Sequence, residues 1–101
     1  MSDDVRRAID AVWRIESGRL IAGLMRMVQD IGVAEDLAQD ALVAALGQWP
    51  QSGIPDKPGA WLLATAKHRS IDLFRRTARL HNKQEQLGRH LQREQELATP
   101  D

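Results

Sequence analysis

The chain has 101 residues, 14 Lys and Arg against 14 Asp and Glu, and no Cys. That length suits one domain and argues against two, and the missing Cys excludes a disulfide framework and any thiolate metal site. A net charge of zero speaks, as a sum, against a nucleic-acid binder, and the longest apolar runs, Leu20–Met25 and Ala41–Gly47, fall far short of the roughly 20 residues that span a bilayer.

The N-terminus carries acid, Asp3-Asp4, where a signal peptide carries base, and no apolar stretch follows it. A small soluble domain of the cytoplasm is expected. There is one Phe, no Tyr and no alternating β-branched run, whereas Ala, Leu, Arg, Gln and Glu abound, so the chain reads as all-α.

A first helix is predicted from about Asp4 to Asp30, capped by Ser2 or Asp3. Val5, Ile9, Val12, Trp13, Leu20, Leu24, Met27, Val28 and Ile31 recur at helical spacing. Ser17-Gly18 is a candidate kink or break, and Gly32 a candidate stop. A second helix is predicted from about Ala34 to Gln48, with Pro50 ending it. At about 100° per residue, Leu37, Ala38, Ala41, Leu42, Ala44, Ala45, Leu46 and Trp49 fill a wide apolar arc. Asp36, Gln39, Asp40, Val43 and Gly47 fill the remainder.

Pro50 to Gly59 holds three prolines and two glycines and reads as a loop of restricted backbone, longer than most helix–helix connections. A third helix is predicted to begin near Asp56-Lys57-Pro58 and to run to about Leu80. Leu62, Leu63, Ala66, Leu73, Phe74 and Leu80, with Ser70 and Thr77 between them, form its expected core arc. Trp61, Thr65, His68, Asp72, Arg75, Arg76 and Arg79 form the opposite face. From His81 onward the large apolar residues are sparse, so this part reads as a polar helical continuation or a fraying tail, with Thr99-Pro100-Asp101 as linker.

Charge is segregated along the chain. Between Gln29 and Asp56 there are five acids and no Lys or Arg; between Lys67 and Arg93 there are eight Lys and Arg against two acids. A neutral chain of this kind can face two partners of opposite charge. The acidic arc reads either as a solvated face or as a docking face for a basic helix, with carboxylates for Arg beside a small apolar patch. The basic face reads either as a single-strand binder, with Arg on phosphates and Trp61 and His68 against bases, or as a solvated Arg face with Trp61 packed under the loop or against another helix. His68, His81 and His90 share no ligand spacing, so no metal site is expected. No phosphate loop, catalytic triad or carboxylate pair stands out, so neither a cofactor nor an enzyme is expected.

Two segments carry a family resemblance. Ala34-Glu35-Asp36-Leu37-Ala38-Gln39-Asp40-Ala41-Leu42 resembles the "AEDLVQE" helix of bacterial RNA polymerase sigma factors. Ala60-Trp61-Leu62-Leu63-Ala64-Thr65-Ala66-Lys67-His68-Arg69-Ser70-Ile71-Asp72-Leu73-Phe74-Arg75-Arg76 resembles their "WL..IA.N...D..RR" helix. Order and spacing are similar to region two of the extracytoplasmic-function (ECF) group of the sigma-70 family, over roughly residues 5 to 80. The phrase "VWRIESGRLIAGL" resembles the large ECF subgroup that carries a C-terminal helical-repeat extension.

The resemblance implies a compact three- to four-helix bundle of region-two type over residues 1–80. Residues 81–101 would be a helical linker or tail towards a region four that this sequence lacks, as in a truncated or partial protein. It also implies two partners: the β′ clamp helices of core RNA polymerase, and the minus-ten element of promoter DNA, melted so that a non-template base flips into a pocket. By position, Asp36, Gln39, Asp40 and Val43 would meet polymerase. Gln51 to Pro58 would be the loop at the flipped base. Trp61, Thr65, Lys67, His68, Arg69, Arg75, Arg76 and Arg79 would face DNA. His68 stands where the family commonly has Asn, and the loop is proline-rich without the usual aromatics. An anti-sigma factor and a C-terminal regulatory domain are further partners the resemblance allows. The alternative is a helical interaction module, anti-sigma-bound or dimeric through Leu80–Leu97, that does not read DNA.

Overall fold

The computed structural model describes residues 3–98, with side chains to residue 95; the cap expected of Ser2, the side chain of Leu97 and the linker expected at Thr99–Asp101 lie outside them. Three helices follow one another: α1 (Asp3–Val28), α2 (Ile31–Ser52) and α3 (Pro58–Ala98). The described residues contain no strand, as the composition predicts.

Asp3 and Asp4 occupy the first turn of α1 and Arg26 its last, each favourable to the helix dipole. Ser17-Gly18 does not interrupt it. Gly18 is exposed and a Cβ there would meet nothing within 4 Å, so no packing demand forces a kink. The helix tolerates the roughly 1 kcal/mol that a glycine costs because Leu20 and Leu24 are buried just beyond it.

The first turn between helices is tighter than the glycine signal implied. Gln29, not Gly32, takes the left-handed conformation, at φ 55°, and its N–H reaches the Met25 carbonyl at 2.9 Å. Asp30 is then the N-cap of α2, its Oδ1 accepting from the Val33 N–H at 3.1 Å. That cap satisfies a backbone donor with no partner inside the helix and lets α2 begin at Ile31, ahead of the expected Ala34.

Pro50 does not end α2 either. It lies in the last turn, where a missing N–H removes one hydrogen bond and the helix needs few more. Ser52 Oγ donates to the Gln48 carbonyl at 3.1 Å, and the Gly53 N–H closes on the Trp49 carbonyl at 2.8 Å. Gly53 has φ 89° and ψ 160°, a conformation open to glycine and costly to other residues. The loop is therefore only 53–57.

By packing, one unit ends at Ser70 and a second begins at Ile71. The core of the first joins Ile9, Leu20 and Leu24 of α1, Ala34, Leu37, Ala38, Ala41, Ala45 and Trp49 of α2, and Leu62 and Ala66 of α3. Four fully buried alanines on α2 let neighbouring backbones approach closely. Each large side chain removed from water here contributes about 1.5–3 kcal/mol. Leu63 reaches Gly23, where a Cβ would sit 3.6 Å from its Cδ1. Ser70 is wholly buried, and its hydroxyl donates to the Lys67 carbonyl at 2.7 Å, so its polarity is satisfied within the helix.

Two expectations are corrected. Met27 and Ile31, placed among the apolar repeats, are exposed. The expected core arc of α3 is buried only as far as Ser70: Leu73, Phe74, Thr77 and Leu80 are exposed. A helical wheel shows which side is apolar, and burial requires a second surface opposite it. Of the two readings of the stretch from His81, the polar helical continuation holds: α3 runs unbroken to Ala98. The helix-favouring residues of that stretch are joined by i, i+4 pairs: His81–Glu85 (2.9 Å), Arg89–Glu85 (3.6 Å) and His90–Glu94 (2.9 Å).

Candidate functional site

On α2 the buried residues Ala34, Leu37, Ala38 and Ala41 fix the outward direction of those between them. Asp36, Gln39, Asp40 and Val43 recur at three- and four-residue intervals and are all exposed. Val43 is 65% exposed, which for an aliphatic side chain within a polar face marks a small apolar patch. Among the described residues neither Asp36 nor Asp40 is engaged in an ion pair, so both carboxylates are open to a cationic partner.

The basic side falls in two parts. Within the first unit, Lys67, His68 and Arg69 are exposed, whereas Thr65 and Trp61 are half-buried. Of the two readings of Trp61, the structure has the one that packs it against another helix. Its ring meets Trp49 edge-on, with centroids 5.1 Å apart and planes at 63°. The start of α3 thus joins the core through Leu62 and Ala66, and Trp61 packs against that same core at Trp49, near the end of α2. In the second unit Arg75, Arg76 and Arg79 are exposed, and Arg79 Nε donates to the Arg75 carbonyl at 3.4 Å. Lys67 and Arg69 flank the Trp61–Thr65–His68 line rather than lying on it, as their wheel angles require.

The expected loop shortens to 53–57, because Gln51 and Ser52 belong to α2 and Pro58 to α3. Ile54 projects from it, 36% exposed. Glu16 is a positioning residue that sequence reasoning missed. Its carboxylate lies over Gly59, where a Cβ would stand 2.8 Å from Glu16 Cδ. An acid at the first turn of α3 favours the positive end of that helix and needs the missing side chain to fit. No periodicity could reveal this pairing of α1 with α3. Trp49 Nε1 is buried without a protein acceptor, which identifies Trp49 as a ring placed for its volume and its contact with Trp61.

One further concavity, about 360 Å³, lies between α1 and α2 and is lined by Arg6, Ile9, Asp10, Trp13, Leu42 and Leu46. Its lining holds one cation, Arg6, and one acid, Asp10, which is engaged by Arg14 at 3.0 Å. Among the described residues no three His, Cys, Asp or Glu side chains group as a metal site, and no helix is long and apolar enough to cross a membrane.

Comparison with known proteins bears on these surfaces. Residues 13–80 match the family described as Sigma-70 region 2. A probable ECF RNA polymerase sigma factor SigI of Mycobacterium tuberculosis is 38% identical over 64 residues, covering 63% of this chain and 21% of that protein. An uncharacterized protein of Rhizobium meliloti is 36% identical over 59 residues, covering 58% of this chain and 14% of that protein. The chain thus spans about a fifth or less of the length of these relatives. No solved structure matches it. Both sequence segments that carry the resemblance lie inside the matched residues, on α2 and on α3, and the chain belongs to the sigma-70 region 2 family.

Proposed function

We propose that this domain works in transcription initiation in the bacterial cytoplasm, joining core RNA polymerase to promoter DNA without itself catalysing a reaction. The observation that carries the reading is the segregation of exposed charge. Asp36, Gln39, Asp40 and Val43 form an open acidic face on α2, and the exposed cations Lys67, Arg69, Arg75, Arg76 and Arg79 lie on α3. The α2 face offers carboxylates and a small apolar patch to the basic, helical β′ clamp. On α3 the cations neutralise phosphates of the minus-ten element, and His68 is the ring placed to meet a base. Trp61 and Thr65 support that surface from below. The loop 53–57 completes the pocket for a flipped non-template base. Flipping costs a few kcal/mol, which contacts to the base must offset.

Asp40→Lys tests the polymerase half. Asp40 is exposed, so its replacement should leave the melting temperature nearly unchanged, as surface substitutions generally fall within about 0.5 kcal/mol. Binding to core polymerase, or to a peptide pair carrying the β′ clamp helices, should be lost. Undiminished binding of the variant overturns the assignment of this face.

A further inference from the structure

Beyond Ser70 every described side chain of α3 is exposed, including large apolar ones. Leu73, Leu80 and Leu87 are spaced by seven residues, and Thr77, Gln84 and Leu91 are spaced by seven in the interleaved position. That is the a/d pattern of a helix seam. The four leucines are 41–58% exposed, and Phe74 beside them is 50% exposed. The seam is bounded: Glu94 occupies its next position and pairs with His90. From Leu73 to Leu91 it is about 27 Å long, or five turns.

The flanks say what can cover it. Arg76, Lys83 and His90 line one edge, and Phe74 and His81 the other. Arg76 and Lys83 make no ion pair among the described residues. The acids of the segment do not offset them: Asp72 is set back from the seam, Glu85 is engaged by His81 and Arg89, and Glu94 closes its end. A second copy fits poorly. Run antiparallel in register, Lys83 would meet Lys83 and His81 would meet His81; run parallel, Arg76 would face His81. Most of the remaining cations, Arg75, Arg79, Arg89 and Arg93, point away from the seam, so a helix docked on it leaves them free.

We propose that the seam from Leu73 to Leu91 is the docking surface for one acidic amphipathic helix of another protein. That helix would be about five turns long, with aliphatic side chains against the leucines and Glu or Asp opposite Arg76 and Lys83. The surface shares Arg76 with the cations proposed to meet DNA; its leucines and Lys83 belong to neither that set nor the α2 face, and the inference does not depend on either.

The test uses the whole chain and two designed 21-residue helical peptides with Leu at the seam positions, one with Glu and one with Lys at the flanks. The Glu peptide should bind and the Lys peptide should not. Leu80→Gln/Leu87→Gln should weaken binding at least about tenfold, with the circular dichroism spectrum unchanged because both leucines are exposed. Lys83→Glu should weaken the Glu peptide and improve the Lys peptide. Any of three results overturns the proposal: no binding of the Glu peptide, equal binding of both peptides, or a dimer in sedimentation that the two-leucine variant abolishes.

Discussion

At the scale of single residues, Trp49 shows how one side chain serves packing and not hydrogen bonding. It is 2% exposed, touches Trp61 edge-on, and its Nε1–H has no protein acceptor. Trp49→Ala should therefore cost about 3–5 kcal/mol in urea unfolding, the usual loss for a large buried aromatic. Trp49→Phe should cost clearly less, because it keeps an aromatic ring against Trp61 and removes a buried donor left without a protein partner. Equal losses for the two variants would mean that the indole nitrogen contributes a bond the packing does not reveal.

At the scale of elements, the two ends of α2 are set by different local chemistry, a side-chain cap at its start and a glycine at its end. Asp30 starts α2 with a single accepted hydrogen bond, and Gly53 ends it in a conformation other residues resist. Asp30→Ala should lower stability by about 0.5–2 kcal/mol, and Asp30→Ser or Asp30→Asn should restore most of the loss. Chemical denaturation of the three variants checks this; a silent alanine variant would show that the cap is idle. The cap sits six residues, nearly two turns, before Asp36, so it also sets where the acidic face of α2 begins.

At the scale of the whole molecule, the two packing units and the segregated charge make separate predictions. All described side chains from 71 to 95 are exposed, so the helix there is supported by local pairs rather than by a core. Trypsin should cut first at Arg75, Arg76 or Arg79 and leave a product that retains the cooperative thermal transition. First cleavage at Arg14 or Arg19 would contradict that order of stability. The exposed cations predict that affinity for single-stranded DNA falls with salt, with a log–log slope of about −0.7 per phosphate contacted. An affinity indifferent to salt would remove phosphate contact from the reading of α3.

The sequence by itself determined the helical class, the apolar face of each helix, the separation of acid from base and the two segments that mark the family. These depend on composition and spacing within one element. The wheel placed Leu37, Ala38, Ala41 and Trp49 of α2 inside and Asp36, Gln39, Asp40 and Val43 outside, as the structure has them. Tertiary structure alone decided what each face meets. It buried Ser70 and left Leu73 and Leu80 on the same arc in solvent, placed Trp61 on Trp49, and laid Glu16 over Gly59. Periodicity encodes the direction in which a side chain points; whether another surface stands there depends on where the other helices begin and end.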